Sequence, residues 1–154
     1  MDRSDLEYIR ILNDKINEHL ERIEFLKSKA FPGAIRYDDI GGSKPTVFDT
    51  LGDLYSEIDL EERKADKLID RRHELKLQAI KVIRASCTDI KHRHVLYLRY
   101  LGTVPHTRIN LEWPEIRKYM NKRHNIQRRQ VQRIHHDAVM EVKHHNMLLT
   151  DDTL

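Results

Sequence analysis

Residues 126–145 read IQRRQVQRIHHDAVMEVKHH. At about 100° per residue, Val131, Ile134 and Ala138 fall on one side of a helix. Arg128, Arg129, Gln132, Arg133 and His136 are then left to the other side. A helix with a packed back and an Arg/Gln/His front is what reading the DNA major groove requires, since Arg is the usual donor to guanine and Gln can pair with adenine. Any amphipathic surface helix also carries charge on its outer face, so the flanking segments decide between the two readings.

Working outward, RHVLYLRYLG at 93–102 and WPEIRKYM at 113–120 precede this helix. Thr88 and Asp89 can cap a helix running to Leu101, with Gly102 ending it. Residues 103–111 then form a loop. Trp113 to Met120 forms a short helix with Pro114 in its first turn and Trp113, Ile116, Tyr119 and Met120 facing inward. Asn121 to Asn125 is a polar turn. Cationic residues on this side, Lys118, Lys122 and Arg123, suit phosphate contacts, which position a helix without reading sequence.

Further out, Ile9, Ile16 and Ile23 recur every seven residues with Leu12, Leu20 and Leu26 between them. This apolar seam predicts a helix over 4–29, opened by a Ser4–Glu7 capping box. His19 sits at the edge of the seam. Residues 31–47, with Pro32, Gly33, Gly41, Gly42 and Pro45, break the pattern and read as a linker. Gly41-Gly42-Ser43-Lys44 lacks the spacing of a phosphate-binding loop. A second long helix is expected over 48–86, on Leu51, Leu54, Ile58, Ala65, Leu68, Leu75, Ala79 and Val82, with Glu61 and Arg72 filling two beats of the seam. The expected fold is therefore all-α: an antiparallel coiled-coil pair over 1–87, a helix-turn-helix module over 88–145 and a tail at 146–154. The seam needs a cover, and a homodimer is the simplest one; the C-terminal helices folding back is the alternative.

Charge supports this division. Residues 1–87 carry 16 Lys/Arg against 18 Asp/Glu, whereas 88–145 carry 12 against 5, with eight of the ten histidines. A basic charge concentrated in one segment is the footprint of a nucleic-acid-binding module. The single Cys87 excludes an intramolecular disulfide and fits a reducing cytoplasm. No apolar run is long enough to span a membrane or resembles a signal peptide, so a cytoplasmic protein is expected. His135-His136 and His144-His145 do not chelate as doublets, because neighbouring helical residues point about 100° apart. No carboxylate cluster in the basic segment suits two-metal nuclease chemistry. Neither enzyme, cofactor nor metal is expected. His135 and Trp113 read as packed residues.

The basic segment resembles the promoter −35-reading domain of bacterial sigma factors. The matching residues are Leu98-Arg99-Tyr100-Leu101, Glu115-Ile116, Met120, and Val131 seven residues before Ala138. Over residues 4–145 the chain resembles small phage regulators of the ArpU type. Those have a coiled first half with a Gly-rich break, an LRY helix, an aromatic before the EI helix, and V-x-R-(I/L)-H-x-x-A. That last motif stands here as Val131-Gln132-Arg133-Ile134-His135-His136-Asp137-Ala138, with Trp113 in the aromatic place. The links at 103–111 and 121–125 are longer than in such modules, and Asp137 stands where a base is common. The resemblance implies a late-gene transcription regulator that binds double-stranded DNA and acts with the RNA polymerase of a bacterial host. The second function class is a packaging protein of the small-terminase type or a helical scaffold, which also joins such a module to oligomerising helices. A ring of copies would mark the second; a monomer or dimer, the first.

Overall fold

The computed structural model describes residues 1–30, 46–105 and 107–151, with backbone alone for 46–50 and 146–151. Among the described residues five α-helices follow in order: α1 Arg3–Ala30, α2 Thr46–Ser86, α3 Ile90–Leu96, α4 Trp113–His124 and α5 Arg128–Asp151. A π-helical turn over Tyr97–Leu101 continues α3. There is no β-strand among the described residues. No helix among them is long and apolar enough to cross a membrane. Most of the predicted linker, including Gly41 and Gly42, lies outside the described residues, and α2 begins at Thr46 rather than at residue 48.

α1 and α2 run antiparallel. Arg22 meets Glu57 at 2.6 Å, His19 meets Glu61 at 2.5 Å, and Arg72 bonds back to Asn13, so rising numbers on α1 face falling numbers on α2. The two polar beats of the α2 seam are thereby matched across the pair. Glu61 is only 3% exposed, yet its carboxylate takes both His19 and Lys64. Lys64 first, then His19, hold it down at about 2. α1 is not opened by Ser4. The Asp2 N–H donates to the Asp5 carboxylate at 2.7 Å, and the Asp5 N–H donates to Asp2 at 3.1 Å, while the Ser4 hydroxyl donates to Asp2. A carboxylate is the stronger acceptor and complements the positive end of the helix dipole, so it takes the capping role.

Two apolar clusters form. The far end of the pair packs Ile23, Leu26 and Ala30 against Ile58 and Ala65. The larger core joins Leu6, Ile9 and Leu12 of α1 and Leu75, Ala79 and Ile83 of α2 to Val95, Leu96, Tyr100, Ile116, Met120, Val131, Ala138 and Val142. The near half of the seam is thus covered by the chain's own α3–α5. Cys87 lies packed in this core, its thiol pushed up to about 11 by burial.

The C-terminal helices differ from expectation at four points. Asp89, not Thr88, caps α3 by accepting the Lys91 N–H at 2.8 Å. The 103–111 loop is a short hairpin, with an antiparallel bridge between Thr103 and Asn110 and the Val104 N–H donating to the Ile109 carbonyl at 2.8 Å. α4 runs one turn past Met120 to His124, because Asn121–His124 are compatible with helix and the cations at its end complement the dipole. Asn125, left-handed at φ 52 and ψ 40, stops it, leaving three residues before α5. Finally, α5 passes through most of the expected tail to Asp151, since neither Gly nor Pro follows Pro114.

Gly102 ends the π turn in extended conformation, with φ −78. Its reason for being glycine is space: a Cβ would come within 2.7 Å of both the Leu98 carbonyl oxygen and Leu111 Cδ1. Gly102→Ala should therefore lower stability by about 1–3 kcal/mol, the usual cost of overpacking. Urea denaturation checks this; an unchanged midpoint would mean the hairpin shifts freely.

Candidate nucleic-acid interface

The front of the module is built from α4, the three-residue turn and α5. Val131, Ala138 and Val142 of α5 are essentially inaccessible, and Ile116 and Met120 anchor α4 on the same core. The Asn121 side chain donates to the Ile126 carbonyl at 3.1 Å and braces the turn. Burial of one stripe forces the opposite stripe outward. Arg128, Arg129, Gln132 and Arg133, in the first two turns of α5, are all exposed. Among the described residues, none of these arginines has a carboxylate within ion-pair distance.

His136 is exposed too, but it borders a groove of about 660 Å³ between α5 and the start of α1, lined also by Arg3, Glu7, Ile11 and Met140. The fully open part of the α5 face is therefore its first two turns. Lys118 and Lys122 stand one turn apart on α4, beside a hollow formed with Val104, Pro105 and Leu111. Arg123 lines a different hollow with His94, Leu98 and Met120. Because α4 is longer than expected, Lys122 and Arg123 belong to its last turn and not to a loop. Tyr119, expected inward, is 46% exposed and separates the two hollows. The inward stripe of α4 is Ile116 and Met120, and Tyr119 falls beside it.

Behind this front lies His135, 9% exposed and sharing a 2.9 Å hydrogen bond with the buried Tyr100 hydroxyl. Trp113 packs edge-on against its ring, and the Arg99 guanidinium lies 4.9 Å from the Trp113 ring centre. Burial first, then Arg3, Arg99 and His136, hold His135 down at about 4. It is a neutral packed residue, with no free edge for a base.

The front is tied to α1 by residues with no place in the predicted site. Arg10 is 8% exposed and donates to the carbonyls of Arg99 at 2.8 Å and Leu111 at 2.9 Å, and to Glu112 at 2.5 Å. Glu112 is itself the N-cap of α4, in a capping box with Glu115. Asn110 donates to the Arg10 carbonyl at 3.1 Å and to Asp14 at 2.7 Å, and Asn17 donates to the Arg108 carbonyl at 2.9 Å. The Lys76 ammonium donates to the Leu101 carbonyl at 3.0 Å. A π turn leaves wide-open terminal carbonyls, and Arg10 and Lys76 satisfy two of them.

Among the described residues no group of three or more His, Cys, Asp or Glu could hold a metal ion. Comparison of the chain with protein families, with curated proteins and with solved structures finds no match.

Proposed function

We propose that this chain is a sequence-specific regulator of transcription that binds double-stranded DNA, of the phage late-gene kind. In this role α4, the three-residue turn and α5 act as a helix-turn-helix, and the antiparallel pair acts as its coiled support. One observation carries the reading most directly. Arg128, Arg129, Gln132 and Arg133 are exposed on the first two turns of a helix whose back is buried and whose start follows a three-residue turn. A recognition helix contacts base edges with its N-terminal residues. Lys118, Lys122 and Arg123 would take phosphates, and His136 would meet the far edge of the groove. In this role the chain carries out no reaction and needs no cofactor. The acidic first half would be the part that meets host RNA polymerase or a second copy of the chain.

The test separates base reading from phosphate attraction. Selection from a random DNA pool should yield a preferred site. Arg133→Ala should weaken that site by about 5- to 150-fold, the worth of one good base contact. It should weaken random DNA far less, where phosphate attraction dominates. Lys122→Ala should weaken both similarly and reduce the salt slope by about one unit. Equal losses on both DNAs for Arg133→Ala would mean that α5 tracks phosphate only. No DNA binding by the intact chain at low salt would end the proposal.

A further inference from the structure

His94 of α3 and His124 in the last turn of α4 meet just ahead of the turn into α5. His94 Nδ1 and His124 Nε2 are 2.8 Å apart, the ring centres are 5.0 Å apart and the planes cross at 62°. That centre separation is close to one N···N distance plus two ring radii. The two nitrogens therefore point at one another, along an N–H···N bond that holds one hydrogen between two bases. A metal ion would need their lone pairs to converge on a third point.

We propose that this pair is a proton-operated latch between α3 and the end of α4. The bond survives the first added proton, because a neutral ring can still accept from its cationic neighbour. A second proton puts a hydrogen on both facing nitrogens and a charge on both rings. Two donors then face each other, and attraction becomes repulsion. The last turn of α4, with Lys122 and Arg123, is released from α3, and the short turn that sets the position of α5 is released with it.

The surroundings make the second proton costly. From α4, Arg123 lines the same hollow as His94, and Arg117 lies on the stripe of His124 two turns back. From α3, Lys91 is three residues before His94, and Tyr119 of α4 completes the hollow. Glu141 of α5 is turned to His92, near the opposite side of α3. Among the described residues no carboxylate lies within ion-pair distance of either ring. Burial, then His124 and Arg123, hold His94 below the ordinary histidine range. The latch is thus closed at neutral pH and opens in acid. The latch itself is independent of the DNA-binding reading; its consequence for DNA affinity rests on that reading.

Amide hydrogen exchange on the full chain between pH 7.5 and 4.5, corrected for the intrinsic rate, tests it. Relative to the amides of 131–142, those of 121–127 should lose protection by about tenfold or more in acid, the mark of a local opening. His94→Leu should leave 121–127 fast at every pH. His124→Gln offers an amide that can accept or donate and does not titrate, so it should keep 121–127 protected in acid. Unchanged protection through the titration of both rings would overturn the latch, and so would a His124→Gln variant that opens like wild type. One-to-one binding of zinc chloride at pH 7, seen as shifts of both ring signals, would replace it with a metal site. In the DNA arm, acid should weaken binding by wild type and spare His124→Gln. Exchange behaving as expected without any DNA binding would retain the latch and end only the regulator reading.

Discussion

Arg10→Met should lower the stability of this protein by about 2–5 kcal/mol, the cost of leaving two largely buried backbone carbonyls without the guanidinium that donates to both. The Met side chain keeps the packing volume of the Arg stem, so the loss isolates the guanidinium. That group donates to both the Arg99 and the Leu111 carbonyls. Each buried carbonyl left unpaired costs about 1–3 kcal/mol. Glu112 contributes far less. It is exposed, it keeps Arg99 at 3.2 Å, and it keeps its capping box. Glu112→Gln should therefore cost less than about 1 kcal/mol, as for other exposed ion pairs. In a chain of this size a few kcal/mol moves the melting temperature by roughly 10 °C, so calorimetry reads the difference easily. A loss below about 1 kcal/mol for Arg10→Met would show that water replaces the guanidinium at both carbonyls, and that α1 is not what holds the α3–α4 junction.

The contrast between Arg10 and Arg133 shows what was legible in the sequence. Arg133 lies opposite Val131, Ile134 and Ala138, and a 3.6-residue period alone places it outward. Periodicity likewise gives α1, α2, α5 and the packed side of His135. Arg10, Asn13 and Asn17 also recur at helical spacing, beside the apolar seam, and charge on the flank of a long helix reads as solvated. Their partners are carbonyls and side chains of the hairpin, 89 to 101 residues away for Arg10, and no local pattern marks such a partner. The expectation of a second copy over the seam has the same origin. Periodicity says that Leu6, Ile9 and Leu12 need a cover, but not that Val95, Leu96 and Tyr100 supply it. The end of α4 was hidden for a different reason. Asn125 stops the helix through a left-handed backbone, and Asn does this only where the following residues pull the chain round. In NKRHN the sequence offers two asparagines four apart, and only the packing of Ile126 into the core selects the second.

Between pH 6.5 and 4 the protein should lose about 3 kcal/mol of stability through His135 alone. In the folded chain this ring is held at about 4, against the ordinary 6.5 of an exposed histidine. The unfolded chain therefore binds the proton more readily, and stability falls as pH falls. The contribution is fully present above 6.5, declines through the window and is exhausted below 4; a gap of about 2.5 pKa units corresponds to about 3 kcal/mol. The cause is structural: the ring is buried against Tyr100 and Trp113, and the charges of Arg3, Arg99 and His136 oppose a further cation. Glu61 does not confuse this window. Its carboxylate is held at about 2, so its contribution is retained until the pH drops below the ordinary 4.5 of a glutamate. His135→Gln supplies the control. The amide can still bond the Tyr100 hydroxyl but does not titrate, so the variant should be weaker at pH 7 and lose much less between pH 6.5 and 4.5. Urea midpoints at pH 7, 6, 5 and 4.5 decide the matter. Parallel pH profiles for wild type and His135→Gln would assign the acid loss to other histidines and leave His135 an ordinary solvated ring.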